Sequence, residues 1–373
     1  MDILVTEDQE FFREATGKFL EQECPLPQVR ARYDDPAGFT GAYWKQGAEL
    51  GWTSLLVPEA LGGGTVSGSD VLDFLGLVDL FGTHLAPGPL LATNLVAAAV
   101  SRWGTDAQQW GLIPGLLSGD TITAWADAGP DDEAVSAARD GDDVVLRGVK
   151  TPVEAGAQAD VLLVTALLDG TPVQVLVDPA AAGVTVTALQ SIDITRRFAK
   201  VEFDGARVSA GALVGGDDAD DDARAAIEWL RLLAATAQSV EATAAAQVAF
   251  DLTMEWMFDR YSFGRPLASY QALKHRCADM KLWLETSHGL GTSAGRALQA
   301  DEPQAAELVS AAKAFTGQYL AELVQDCIQM HGGIGLTWEH DLHLYQRRIV
   351  ADRNTYGTPE DHRQRLATIR EAV

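Results

Sequence analysis

The stretch Arg260-Tyr261-Ser262-Phe263-Gly264-Arg265-Pro266, paired with Gln329-Met330-His331-Gly332-Gly333-Ile334-Gly335, decides how the rest of the chain is read. Arg260 stands where a long helical pattern gives way to Phe-Gly and then to Pro266, the mark of a helix stop and restart. An arginine at such a corner can pair bidentately with a phosphate. Gly332 and Gly333 allow a backbone to approach a pyrophosphate closely, with free N–H groups aimed at it. Taken singly, Arg260 reads equally well as a surface charge, and the Gly-Gly pair as a helix-ending turn. Taken together they read as one phosphate-holding surface.

Working outward, four long helical patterns cover 223–258, 269–300, 303–331 and 339–354, with a last short one after Glu360. This predicts an up-down bundle. Upstream, Gly215-Gly216 leads an acidic hinge, 217–222, whose carboxylates suit the first turn of the next helix. Before it the texture changes. Asp143–Gly148, Val161–Val164 and Val173–Val177 alternate like strands, with Asp140-Gly141-Asp142 and Leu168-Asp169-Gly170 as turns. A small β-barrel or sandwich follows from strands without intervening helices. The first part of the chain reads as helices, among them 7–21, 70–81 and 89–103. Leu50-Gly51-Trp52 through Gly62-Gly63-Gly64 reads as a helix stop, a short extended run and a glycine-rich loop. The expected fold is α+β and multidomain: an N-terminal helical domain (1–118), a middle β domain (119–215) and a C-terminal four-helix bundle (216–373).

The chain has 373 residues, 47% of them apolar, and a formal charge of −25. That length supports two or three domains. The charge argues against nucleic acid or an anionic membrane as partner. No apolar run is long enough to span a bilayer. The acidic N-terminus lacks a signal-peptide pattern, and Cys24, Cys277 and Cys327 have no metal spacing, so the expectation is a reduced, cytoplasmic protein without a metal site. His331, His340 and His343 read as structural.

In order and spacing, these pieces resemble the acyl-CoA dehydrogenase family. The family's Arg-x-x-Phe-Gly turn is followed eleven residues after the Arg by a Gln, here Gln271 within Ser269-Tyr270-Gln271-Ala272-Leu273-Lys274-His275. Its Gln-x-x-Gly-Gly turn follows another long helix, and its Val-Pro-Glu turn with a Gly-Gly matches Val57-Pro58-Glu59 and Gly62-Gly63. The resemblance covers essentially the whole chain. It implies FAD bound between subunits, with Arg260, Ser262, Phe263, Gly264, Gln271, Gln329, Met330, His331, Gly332 and Gly333 serving the pyrophosphate and adenosine end. Thr358-Pro359-Glu360 resembles the family's later Thr-x-Glu, which adds Thr358 and Glu360. The implied partners are an acyl-CoA substrate, a homologous subunit in a homo- or hetero-oligomer, and an electron-acceptor flavoprotein.

The flavin-ring end departs from the family. Its Thr-Glu/Asp-Pro-Gly-x-Gly-Ser strand is here 124–132, and its Lys-x-x-Ile-Thr-Asn-Gly segment is Lys150-Thr151-Pro152-Val153-Glu154-Ala155-Gly156. No Thr or Ser stands where the family hydrogen-bonds the isoalloxazine, Pro152 removes a donor, and Lys150 reads as structural. The family's chemistry needs a carboxylate that takes the α-proton of the acyl-CoA while the β-hydrogen leaves as hydride. Its usual Tyr-Glu-Gly-Thr loop is here Thr355-Tyr356-Gly357-Thr358. The alternative position on the first long C-terminal helix falls on Ala234.

Glu241 lies seven residues past Ala234, about 10 Å further along nearly the same face. It is the candidate base; the other reading makes it a structural carboxylate hydrogen-bonded inside the bundle. Glu228 points to one side. Arg196-Arg197 is either a contact for an anionic group or a surface ion pair. Ala234, Ala235, Ala237 and Ala242 either admit a bulky acyl chain, such as a steroid side chain, or reflect helix propensity. Two functions stay open. One is an FAD-dependent acyl-CoA dehydrogenase subunit, with an oxidase sharing the same motifs. The other resembles the base-less subunit of heteromeric actinobacterial complexes for sterol side-chain breakdown, a non-catalytic partner that completes the FAD site of a catalytic homologue.

Overall fold

The computed structural model of the chain describes residues 6–127, 135–216 and 220–371. The 128–132 end of the expected flavin-side strand, residues 1–5 of the acidic N-terminus and the expected capping by the acidic run 217–222 lie outside the described residues and side chains.

The first part is helical: α1 (Glu7–Glu23), α2 (Leu26–Ala31), α3 (Gly41–Glu49), α4 (Asp70–His84), α5 (Leu90–Trp103) and α6 (Asp106–Leu117). Thr6 with Gln9, and Thr105 with Gln108, form reciprocal capping boxes that start α1 and α6. Helix α5 is buried continuously from Leu90 to Ser101, so it is a central helix and shows no polar stripe. The run after Gly51 is a series of turns and not the extended segment expected. Trp52, fully buried, anchors it: its ring lies where a Cβ on Gly47 would sit 2.1 Å away.

The middle part is one mixed seven-stranded sheet: β1 (Thr123–Ala126), β2 (Val135–Asp140), β3 (Asp143–Glu154), β4 (Val161–Leu168), β5 (Thr171–Val177), β6 (Val184–Leu189) and β7 (Phe198–Ser209). The β4–β5 hairpin turns on Asp169 and Gly170, both with positive φ, as a tight two-residue loop requires. Strands β1 and β2 lie end to end along one side of β4, both parallel to it. The β3–β7 ladder passes from Lys150↔Val201 to Val153↔Ala199 and leaves Thr151 and Pro152 outside it. Proline has no N–H for the ladder, so the bulge falls there.

The last part comprises α7 (Asp220–Asp259), a short hairpin β8 (Tyr261–Ser262) and β9 (Arg265–Pro266), then α8 (Gln271–Gln299), α9 (Ala305–His331), α10 (Leu342–Asn354) and α11 (Pro359–Glu371). Helix α9 packs against α7, α8, α10 and α11. Among the described residues no helix is long and apolar enough to cross a membrane.

Three apolar cores result: one of the N-terminal helices with the first half of α7, one inside the C-terminal bundle, and one in the sheet. Ala234, Ala235, Ala237 and Ala242 are all buried in the first two. Of the two readings of these small residues, the acyl cavity is not what they form. They fill the apolar cores, and it is Gly82 that lets α4 lie close on α7: a Cβ on Gly82 would stand 2.4 Å from the Glu241 carbonyl oxygen. A Gly→Ala change inside a helix ordinarily stabilises it. Here the backbone of α7 reverses the sign, and Gly82→Ala is expected to lower stability by about 1–3 kcal/mol, read as a shift in denaturant midpoint at constant m.

Candidate active-site cleft and buried ion cage

The centre of the molecule is charged. Arg348 of α10, 1% exposed, donates from Nε to Asp193 Oδ2 at 2.6 Å and from its terminal nitrogens to Glu241, Thr195 and the Ala86 carbonyl. Arg196 donates to Glu241 and to Asp352 Oδ1 (2.7 Å), and its Nε lies 3.5 Å from Glu154 Oε1. Lys313 of α9 reaches Gln238 Oε1 (2.9 Å) and the Asp352 carbonyl. All of these charged side chains are buried. Burial alone would raise the Asp193 carboxyl, but Arg348, Arg196 and the hydrogen bonds from Thr195 hold it below its ordinary value. Burial dominates at the edge of the cage. It pushes Asp352 up to about 7 against the pull of Arg196, and brings Lys313 down to about 7.

Two expectations change here, those for Arg196 and Arg197. Arg196 is not a surface ion pair; it is 5% exposed and sits at the heart of the cage. Arg197 is the half-buried clamp beside it, donating to the carbonyls of Arg32, Asp35 and Ile194. Glu241, the candidate base or structural carboxylate, has each carboxylate oxygen taken by a different arginine. Sequence reasoning passed over Arg348, Asp352, Asp193 and Lys313. A signal was present for two of them: Arg348 and Asp352 stand four apart on the stripe of α10 that also carries Leu344, Tyr345 and Ile349, all buried.

Beside the cage, between the sheet and α10–α11, opens a cleft of about 570 Å³. Trp125 of β1, the bulged Thr151 and Pro152, Glu154, Phe198, and Thr355 to Thr358 line it, with Arg231 and Arg365 further out. Trp125 and Tyr356 stack at 5.9 Å with an interplanar angle of 17°. Tyr356 holds φ +53 and Gly357 φ +97, and a Cβ on Gly357 would strike the His362 ring at 2.6 Å. Burial raises the Tyr356 phenol far above its ordinary value, so it stays neutral. His362 Nε2 bonds the Tyr356 carbonyl at 3.0 Å, while Nδ1 is buried without a partner. A second proton there would make an unpaired buried cation, and burial brings the pKa down to about 4.

The Arg260 set lies elsewhere. Arg260, Gln271, Gln329, Gly332 and Gly333 are all exposed at the end of the bundle where α7, α8 and α9 meet. Arg260 lies over the Trp256 ring at 5.8 Å, and His331 stacks on the other partner of that contact, Trp256, at 5.3 Å. His331 is buried, with Nδ1 on the Cys327 carbonyl at 2.8 Å, and Met330 is buried near the Cys277 thiol. Gly332 has φ +69, and neither Gly332 nor Gly333 has an atom within 4 Å of where a Cβ would be. No ion pair joins Arg260 to a carboxylate among the described residues. An unpaired guanidinium, two exposed amides and an open Gly-Gly backbone are a donor set that fits a diphosphate. Ser262 accepts from the Tyr270 hydroxyl through its carbonyl, and Phe263, at φ +50 and 96% exposed, projects from the hairpin with Gly264.

Thr358 and Glu360 are not part of that surface. Pro359 packs at Gly317 of α9, twelve residues or about 18 Å of helix from Gln329. The Thr358 backbone N–H and hydroxyl both donate to Asp361 Oδ2, a cap on α11. Glu360 is exposed and pairs with Arg363 at 3.1 Å, away from the cleft lining.

Two measurements follow. Arg348→Met leaves Asp193 and Glu241 short of their partner and is expected to lower unfolding free energy by about 3–5 kcal/mol. His362 binds a proton more readily in the unfolded chain, because its folded value is the lower one. Stability is therefore full above pH ~6.5 and falls between pH ~6.5 and ~4, by about 3 kcal/mol. Chemical denaturation across that window is expected to show the slope in the wild-type chain and to lose it in His362→Gln.

Comparison with known proteins agrees with this architecture. Residues 6–120 match the family model "Acyl-CoA dehydrogenase, N-terminal domain" and residues 222–369 match "Acyl-CoA dehydrogenase, C-terminal domain". The chain is 27% identical over 365 residues to Acyl-CoA dehydrogenase IpdE2 of Mycolicibacterium smegmatis, covering 97% of this chain and 98% of that protein. Its fold matches a chain of the ChsE4-ChsE5 complex from Mycobacterium tuberculosis with a TM-score of 0.90 and 26% identity, over 100% of both chains. It also matches the fold of a glutaryl-CoA dehydrogenase from Mycobacterium smegmatis solved in complex with FADH2, with a TM-score of 0.87 and 20% identity, over 100% of this chain and 97% of that one. Helical ends, a mixed sheet between them and two domain models in the matching order leave one conclusion: this chain belongs to the acyl-CoA dehydrogenase family of FAD-dependent oxidoreductases.

Proposed function

We propose that the chain is an FAD-dependent acyl-CoA dehydrogenase acting as a subunit of a dimer or tetramer, introducing an α,β double bond into an acyl-CoA thioester. The observation that carries this reading is the separation of two complementary surfaces. The cleft offers aromatic walls (Trp125, Phe198, Tyr356) and the hydroxyl of Thr151 to a planar ring and a thioester. The Arg260, Gln271, Gln329 and Gly332-Gly333 surface offers donors to a diphosphate. The cofactor, when bound, supplies the hydride acceptor. The exposed Tyr261, Phe263 and Leu336 beside the donors suit docking against a homologous subunit, whose cofactor these donors would reach. The cleft and not the alanine face of α7 is the room available to an acyl group. A cytoplasmic electron-acceptor flavoprotein would take the electrons onward.

One observation favours a second reading, a non-catalytic partner that completes the FAD site of a catalytic homologue. The face of α7 carrying Ala234 and Glu241 is packed shut against α4, with a void of only about 10 Å³ beside it, and Tyr356 occupies the loop position where the family carries its glutamate.

Flavin absorbance and oligomer mass distinguish the two. Expressed alone, a self-sufficient dehydrogenase is expected to carry about one flavin per chain by the family's binding logic. A partner subunit is expected to be flavin-free alone and to give one flavin per pair of unlike chains with a neighbouring homologue. In either case Arg260→Ala is expected to weaken flavin retention, and loss of a phosphate-paired guanidinium corresponds to about 1.5–3 kcal/mol. Absence of flavin and of acyl-CoA dehydrogenation in every combination would remove both readings.

A further inference from the structure

Lys313 of α9 is an ammonium only 1% exposed. Among the described residues no carboxylate forms an ion pair with it. Its partners are Gln238 Oε1, at 2.9 Å, and the backbone carbonyl of Asp352. Neutral oxygens compensate a buried charge less than a carboxylate does, and burial, the largest influence on Lys313, brings its pKa down to about 7. Both partners lead towards the cleft. Gln238 of α7 is fully buried, and its Nε2 donates to Thr355 Oγ1. The Thr355 hydroxyl donates in turn to the Ala351 carbonyl at 3.0 Å. Ala351 and Asp352 stand in the last turn of α10, whose carbonyls have no partner within the helix. The hydrogens therefore run one way, from Lys313 to Gln238 to Thr355 to the end of α10.

Thr355 opens the loop that lines the cleft. The far side of that loop is fixed by His362 on the Tyr356 carbonyl, at 3.0 Å, and by the Thr358 N–H on Asp361 Oδ2, at 2.8 Å. Between these anchors Tyr356 sits at φ +53, a conformation that a non-glycine residue keeps only where its surroundings impose it. Among the described residues none hydrogen-bonds the Tyr356 hydroxyl, so the ring is placed by its backbone and by the stack on Trp125.

We propose that Lys313 and Gln238 are positioning residues of the cleft: through Thr355 they fix the backbone that holds Tyr356 against Trp125, and so set the aromatic wall that receives a planar ring. The inference rests on the reading above of the cleft as the site of the flavin ring. Neither Lys313 nor Gln238 lines the cleft; they act across one further side chain. Thr355 does line it, but its hydroxyl is committed within the protein, accepting from Gln238 and donating to Ala351. A wall held in this way is ordered before the ligand arrives, which lowers the entropic cost of binding. The same relay accounts for a buried ammonium that no carboxylate holds: its two hydrogen bonds join α9 to α7 and to the end of α10 at the root of the cleft loop.

The test reads the Tyr356 ring directly. The flavin-free chain is labelled with fluorotyrosine, and the fluorine resonance of Tyr356 is assigned by its loss in Tyr356→Phe. Thr355→Val and Lys313→Met are each expected to move or split that resonance, and Thr355→Ser to leave it at the wild-type position. In the flavin-loaded protein, with its homologous partner if flavin requires one, the same two variants are expected to weaken FAD binding by about 5-fold, the factor that one lost hydrogen bond gives, and Thr355→Ser to restore it. An unmoved resonance in Lys313→Met overturns the relay, whatever that variant loses in stability. A moved resonance with FAD binding unchanged supports the positioning and sinks the ring-site reading. If Lys313→Met does not fold, Thr355 decides: a resonance moved by valine and kept by serine supports the relay, and one moved by neither or by both overturns it.

Discussion

The structure depends on a cage of buried charge placed where its three apolar cores meet. Glu241 stands on α7 between Ala237, which belongs to the N-terminal core, and Ala242, which belongs to the bundle core. Arg196 and Asp193 come from the segment before β7, and Arg348 and Asp352 from α10. Two guanidiniums therefore tie helix, sheet and bundle with directional bonds at a point where apolar contact alone would leave three surfaces free to slide. Such a cage contributes little net stability compared with a well-packed apolar core, but removing one member is severe. Specifying the arrangement is the better account of its presence.

The cage also has more carboxylates than cations. Glu154, Asp193, Glu241 and Asp352 face Arg196, Arg348 and Lys313. Full ionisation would leave an uncompensated negative charge in a buried place. The two carboxyls that burial pushes up, Asp352 and Glu154, each carry an oxygen without a partner. Glu241 and Asp193 have a partner on both oxygens, Glu241 from two arginines and Asp193 from Arg348 and Thr195.

Much of the fold was legible from periodicity and punctuation. The helices after Gly215, the turns at Asp140-Gly141 and Asp169-Gly170, and the corner at Arg260 fall where the sequence places them. The exposed donor surface was legible too, because glycines and an arginine at a helix corner have few other uses. Less was legible in the middle sheet: the alternating runs cover parts of β3, β4 and β5, and nothing in the sequence carries the parallel pairing of β1 and β2 with β4, which depends on contacts distant in sequence. The cage was nearly invisible. Arg196 and Arg348 each follow or precede a second arginine, and a dipeptide of arginines looks like surface. What distinguishes Arg348 from Arg347 is only its position on the buried stripe of α10. Glu154 was hidden by the strand around it, since a single acid in an alternating run reads as its solvent side.

Helix α7 gives the architecture a fixed ruler. Its forty residues, Asp220–Asp259, include Arg231 at the cleft and Glu241 in the cage, and they end one residue before the corner at Arg260. At 1.5 Å per residue the cleft and the corner are about 43 Å apart along one rigid rod. One inserted residue anywhere between them would turn everything downstream by about 100° and swing Glu241 or the hairpin off its partners. Loops at either end can lengthen or shorten freely in descent; the interior of this helix can change letters but not its count.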